Sequence, residues 1–311
     1  MKHVYKYLLS ALLLLACLGL LWGCGKDTPE DENTPTDQQQ TTPDGGEDAQ
    51  PTVLSAVIEC SDGDTTLRFI RSEDGSWAWK DDREFPLDNT YVQHLLQSVE
   101  EMRTAQPITT DKTPEDLGLD DENKYVTASD ENGARITWYL GDKDDVGRYY
   151  MRRADDETGA IYLSPADLSA QISRSIYDMM ALPQLNSISI ENLRSVVIQR
   201  GETQVEMRPS SLGVLTSDIA DTQPLVDLLA QPVLRSCVDF RPSKGAAAIC
   251  GLDDNSVVMT VEYVNNLSVE STFVLSIGDV RGDGYYVRVN DDTTIYKMDA
   301  AAVEAVLAFV P

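Results

Sequence analysis

The sequence predicts an α+β protein built as two tandem copies of a β-β-α, β-meander, α module with mostly antiparallel sheets, preceded by a disordered tether. Three observations lead there. An ordered set of short signatures occurs twice along the chain. Within each occurrence, apolar residues alternate at period two in short runs and recur at helical spacing in longer ones. Ahead of the first copy lies a stretch too polar to bury a core.

Copy one opens with a strand pair, Ala56 to Cys60 and Thr66 to Arg71, around the turn-rich Ser61-Asp62-Gly63-Asp64. Behind Asp88-Asn89-Thr90, a plausible cap, Val92, Leu95, Leu96, Val99 and Met102 keep helical spacing. Strands are expected at Tyr125 to Ala128, Ala134 to Leu140, Arg148 to Arg152 and Ala160 to Tyr162. A closing helix starts near Pro165 and aligns Leu168, Ile172, Ile176 and Met179. Copy two ends in the same way, with Ala300, Val303, Val306, Leu307 and Val310.

The duplication rests on matched signatures in matched order. Val57-Ile58 answers Val197-Ile198, and Leu95-Leu96 answers Leu228-Leu229. Gly118-Leu119-Asp120-Asp121 returns as Gly251-Leu252-Asp253-Asp254, and Leu140-Gly141-Asp142 as Ile277-Gly278-Asp279. Tyr149-Tyr150-Met151-Arg152 returns as Tyr285-Tyr286-Val287-Arg288, and Ile161-Tyr162 as Ile295-Tyr296. The expected division is a leader at 1–23, an acylated cysteine and acidic tether at 24–52, copy one at 53–183 and copy two at 184–311.

The leader carries Lys2 and Lys6, then an apolar run from Leu8 to Trp22 that stops at Gly23-Cys24. That is a signal-peptide layout, short for a membrane span of roughly 20 residues. Leu21-Trp22-Gly23-Cys24 resembles a bacterial lipobox, whose cysteine takes a diacylglycerol before cleavage, although Trp22 is an unusual occupant. Leu14-Leu15-Ala16-Cys17 fits locally, but it would leave an apolar start to the mature chain. Cys24 is preferred as the lipid-attachment residue because Gly25-Lys26-Asp27 turns polar at once. An uncleaved anchor or a plain secretory signal is the alternative. Two or three acyl chains give stable attachment where one would be marginal. The tether that follows would span on the order of 30 Å as a flexible coil.

Charge and composition exclude several functions. The chain has 311 residues, 25 Lys plus Arg against 52 Asp plus Glu, and a net charge of −27. Such an acidic body opposes phosphate backbones, so no nucleic-acid partner is expected. Beyond the leader His94 is the only histidine, which excludes a two-histidine zinc site within one chain. Neither a Walker sequence nor a G-x-G-x-x-G turn occurs, and no cofactor or metal is expected.

Lipobox, acidic tether and tandem copies with a Gly-Leu signature, a later apolar-Gly-Asp and a Tyr-rich strand together resemble an uncharacterised bacterial lipoprotein family. The likeness covers roughly Thr52 to Pro311. That family is classed as a domain of unknown function, and its genes often accompany ABC-type transporters resembling gliding-motility export systems. Trp77 and Trp79 stand where the family commonly has a tryptophan, whereas copy two has none there. The resemblance implies no catalytic residue.

Remaining candidates are few. Acidic loops at Asp62 and Asp64, Asp142, Asp144 and Asp145, Asp279 and Asp283, and Asp291 and Asp292 are read as solvated turns. The Asp142 loop departs from the EF-hand pattern at Val146 and Arg153. Trp77 and Trp79 share a strand face, either as a sugar platform or, as preferred, packed under the adjacent helix. Arg281-Gly282-Asp283 spells an adhesion tripeptide in an expected loop. Cys237 and Cys250 are either a disulfide or two buried thiols. The expected function is a non-enzymatic, membrane-anchored accessory or binding lipoprotein on the extracytoplasmic face, with an envelope partner of the ABC-transporter kind. A carboxylate-dependent surface hydrolase and a solute-binding transporter component are the alternatives.

Overall fold

A computed structural model describes residues 56–310. The expected leader, Cys24 and the tether lie outside the described residues.

The first hairpin forms because alternation and turn chemistry agree. Along β1 (Val57–Asp62) and β2 (Thr66–Arg71), Ile58, Cys60, Leu67 and Phe69 face inward. Between them the Asp62 carboxylate accepts the backbone N–H groups of Asp64 and Thr65, at 3.0 and 2.8 Å. β3 (Trp77–Trp79) then pairs antiparallel with β2. Its backbone is clamped by Asn89, whose side chain accepts from the Trp77 N–H and donates to the Trp77 carbonyl. Trp77 is buried and Trp79 meets Phe85 edge to face at 5.7 Å, so the pair packs inside the molecule rather than forming an open platform.

α1 (Asn89–Arg103) starts where Asp88 accepts the N–H of Thr90, and it buries Val92, Leu95, Val99 and Met102. Leu96 is only half-buried. The meander follows as β4 (Lys124–Ser129), β5 (Arg135–Lys143), β6 (Tyr149–Arg153) and β7 (Tyr162–Leu163). The sheet order is β3-β2-β1-β4-β5-β6-β7, with every pairing antiparallel.

The expected closing helix is broken. α2 (Leu168–Ile172) ends, and a 3₁₀ turn at Ile176–Met179 begins anew. Ser175 causes the restart: its hydroxyl and the Asp178 carboxylate form a reciprocal capping box.

In the second half come β8 (Leu193–Arg200), β9 (Thr203–Met207), α3 (Gln223–Ala230), β10 (Ser236–Asp239) and α4 (Lys244–Ile249). β11 (Val257–Val264), β12 (Glu270–Arg281), β13 (Gly284–Val289), β14 (Ile295–Asp299) and α5 (Ala300–Leu307) complete it. Its sheet runs β10-β14-β13-β12-β11-β8-β9, again antiparallel throughout. The chain is therefore a mixed α+β protein with two antiparallel sheets. The order β2-β1-β4-β5-β6-β7 in one matches β9-β8-β11-β12-β13-β14 in the other. β10 and α4 were not expected. β10 is too short to show a period, and α4 buries no residue, so it has no apolar stripe to read.

One contiguous apolar core runs through both sheets, from Phe69, Val99 and Trp138 to Val196, Leu225 and Val306. Where the halves meet, Phe85 lies 5.3 Å from Phe240 and 6.3 Å from Tyr177, and the Tyr177 hydroxyl donates to Asp239 at 3.2 Å. Arg241 completes the contact. It holds Asp82 and Glu84 while its guanidinium lies 4.9 Å from the centre of the Phe240 ring, and its backbone sits in the left-handed region at φ 58. Arg241→Ala is expected to lower stability, because it removes the ring contact with Phe240 together with the ion pairs to Asp82 and Glu84. Chemical denaturation of the variant measures it.

Candidate functional site

The residues that recur in sequence meet in space. In the first sheet a 3₁₀ turn at Glu115–Leu117 ends at Gly118, left-handed at φ 67, and delivers Leu119 into a small apolar cluster with Leu117 and Ile161. Gly141 lies opposite, where the β5–β6 register shifts between Leu140 and Lys143. A Cβ at Gly141 would stand 2.1 Å from the Leu117 carbonyl oxygen, so the turn can touch the strand only across a glycine. Arg152 on β6 finishes the brace, donating from Nε to the Leu119 carbonyl at 3.0 Å and ion-pairing with Glu122 at 2.8 Å.

The second sheet has the same brace. Gly251 is left-handed at φ 69, and Leu252 is buried. A Cβ at Gly278 would stand 2.1 Å from the Cys250 carbonyl oxygen, at the register shift between Ile277 and Val280. Arg288 donates to the Leu252 carbonyl at 2.8 Å, and the Asp279 N–H to the Cys250 carbonyl at 2.9 Å.

A polar groove adjoins each brace. The first, about 440 Å³, is lined by Lys112, Asp116, Asp142, Asp144, Arg148 and Tyr150 among others. The second, about 500 Å³, is lined by Arg200, Gly251, Asp253, Asn255 and Asp279 among others. In the first groove Asp144 accepts the backbone N–H groups of Val146 and Arg148 and pairs with the Arg148 guanidinium at 2.7 Å. Asp116 is held by the N–H and hydroxyl of Thr113.

These arrangements hold carboxylates in their charged form. Hydrogen bonds keep Asp74, Asp116, Asp155, Asp156 and Asp283 below the ordinary carboxylate range. Asp144 and Asp292 are lowered too, since their hydrogen bonds outweigh a desolvation that pushes the other way. A general acid requires the opposite direction. Among the described residues no group of three or more His, Cys, Asp or Glu is placed to hold a metal ion. His94 is exposed on α1.

Arg281 ends β12, and Gly282-Asp283 is the turn joining it to β13, with Gly282 at φ 62. Its aspartate is engaged within the chain, bound by Lys297 and Arg235. Those hydrogen bonds lower the Asp283 pKa from 3.8 to about 2. A lowered folded-state value means that the stabilisation is present above the unfolded pKa and is lost as pH falls through the folded one. Asp283→Asn should therefore flatten the dependence of stability on pH between 3.8 and about 2, as thermal unfolding across that range would show.

Cys237 and Cys250 are separate thiols in the structure, on β10 and at the C-terminal cap of α4. Burial, reinforced by neighbouring acids, pushes the Cys60 and Cys237 thiols up to about 12, whereas Cys250 is half-buried and raised less. Thiol alkylation of the native, unreduced chain is thus expected to label Cys250 well before Cys60 or Cys237, because the thiolate is the reacting form.

Sequence reasoning found the glycines and leucines of the brace but not the target of Arg152 and Arg288. The paired Tyr-Tyr-x-Arg signatures were the signal, but sequence does not reveal a buried carbonyl. Arg241 has no counterpart signature at all.

Among the described residues no helix is long and apolar enough to cross a membrane. No curated protein and no solved structure matches the chain. A family of unknown function matches it over residues 62–229, from the end of β1 through most of α3. By that match over more than half its length, the chain belongs to the DUF4340 family, a domain of unknown function.

Proposed function

We propose that this chain is an extracytoplasmic lipoprotein, anchored in the membrane through diacylglycerol on Cys24. Its folded part is a duplicated, non-enzymatic module that docks on an envelope partner of the ABC-transporter kind. The observation that carries this reading is the fate of the duplicated signatures. Their leucines enter cores, their glycines admit a carbonyl, and their arginines cap one. What the two halves share is thus scaffolding, and both halves use it to hold a polar surface in a fixed shape. Lowered carboxylate pKa values in and around the acidic loops support a binding surface over a hydrolytic pair. The anchor rests on the apolar run ending at Gly23-Cys24, and the partner class on the family resemblance.

Metabolic labelling with a fatty-acid analogue tests the anchor. Cys24→Ala is expected to abolish the label and alter membrane attachment. Undiminished label on the variant would move the lipid to Cys17, and absence of label on the unaltered chain would remove the lipoprotein reading.

A further inference from the structure

One half pairs a further strand on an edge that carries no paired strand in the other half. In the first sheet β3 lies along the outer side of β2, pairing Trp79, Ala78 and Trp77 with Phe69, Ile70 and Arg71. In the second sheet β9 holds the equivalent place and ends the sheet, and no described strand pairs with its outer side. β9 is regular: Thr203 to Met207 pair with Arg200 to Val196 without a register shift. Thr203, Gln204 and Glu206 are exposed, Val205 is half-buried and Met207 is buried. A regular edge without a paired strand is a template for another strand.

The sequence along that edge indicates which strand. If β9 meets itself antiparallel about a two-fold axis through Val205, each position faces its mirror across that residue. Thr203 then faces Met207, Gln204 faces Glu206 and Val205 faces itself. Arg208 follows the strand directly and Glu202 is the second residue of the β8–β9 turn, so the same axis brings Arg208 of one copy to the end of the hairpin that carries Glu202 in the other, and the symmetry makes that approach twice. In a chain of net charge −27 this register places no acid opposite an acid. Arg208 currently pairs with Glu206 of its own chain at 2.7 Å. Both side chains of that pair are largely exposed, so it holds Arg208 weakly and leaves it able to reach across the axis.

We propose that β9 is a self-association edge, joining two copies of this chain into one continuous antiparallel sheet through a two-fold axis at Val205. The pairing satisfies the outward backbone groups of β9 and matches opposite charges at both ends. It does not depend on the lipid anchor or on the identity of an envelope partner.

Thiol crosslinking of the full chain in intact cells tests this. Facing Cβ atoms in antiparallel strands lie about 4.5–5.5 Å apart, so Val205→Cys in a Cys250→Ser background should be joined to itself by a short bis-maleimide and give a product of twice the mass that the Cys250→Ser chain alone does not give. Thr203→Cys sets the two thiols about 14 Å apart along the strands and should give little product. In the Val205→Cys background, Glu202→Arg or Arg208→Glu each creates two like-charge contacts and should lower the yield about tenfold, whereas the double exchange should restore it. The proposal is overturned if Val205→Cys gives no dimer or joins a different polypeptide. It is equally overturned if Thr203→Cys crosslinks as well as Val205→Cys does, or if the double exchange fails to restore the yield.

Discussion

Gly141→Ala is expected to destabilise the protein by about 3 kcal/mol or more, placing it among the most damaging single-methyl changes the fold can suffer. The added carbon would stand 2.1 Å from the Leu117 carbonyl oxygen and 3.0 Å from the Leu119 side chain. Neither can yield cheaply, because the carbonyl is backbone at the end of a 3₁₀ turn and Leu119 is buried. Gly278→Ala should behave alike, since its methyl would meet the Cys250 carbonyl at the same 2.1 Å. Gly147→Ala is the control. Its surroundings are open within 4 Å, so only its left-handed backbone, φ +88, is penalised, at about 1 kcal/mol. Urea unfolding of the three variants measures the contrast, and equal losses at Gly141 and Gly147 would contradict the brace.

The second large effect lies in the helices. Leu95→Ala and Leu229→Ala should each cost about 2 to 5 kcal/mol, as buried leucines do, and Leu96→Ala clearly less because Leu96 is half-buried. Position within the duplicated pair thus decides the outcome: Leu228 and Leu229 are both buried, whereas only the first of Leu95 and Leu96 is. Because the core is contiguous, the loss at Leu229 should also be felt in the first half. The tryptophans among the described residues, Trp77, Trp79 and Trp138, all lie in that half. Tryptophan fluorescence should therefore shift its unfolding midpoint in Leu229→Ala together with circular dichroism. A fluorescence transition left in place would mean that the halves unfold separately.

What the sequence made legible follows from which forces leave a periodic trace. β1, β2, α1 and the meander strands were expected because burial of one face writes alternation or helical spacing into the chain. Leu168 to Met179 also shows helical spacing, but a capping box at Ser175 overrides it, since a local hydrogen-bonded stop needs only Ser175 and Asp178. β10 and α4 are too short to carry a period. The brace was visible as repeated Gly-Leu and Gly-Asp pairs, yet its reason was not, because the close approach of Gly141 to the Leu117 carbonyl joins residues far apart in the chain. Arg241 was invisible for the same reason: its acids, Asp82 and Glu84, lie in the other half. Among the site residues, the adhesion-like tripeptide could be read in sequence but not its internal ion pairs, which require Arg235 and Lys297 to be neighbours.

Docking to an envelope partner is the function proposed for this chain, and photo-crosslinking in living cells addresses it most directly. Ile249 and Leu212 are large apolar side chains that are 82% and 87% exposed, so a photoreactive amino acid can replace either with little cost to the core. The account predicts that irradiation joins at least one of these positions to an integral membrane component of an ABC-type transporter, identified by mass spectrometry of the adduct. Adducts confined to soluble enzymes or substrates, or a full set of surface positions that capture no envelope protein, would contradict it.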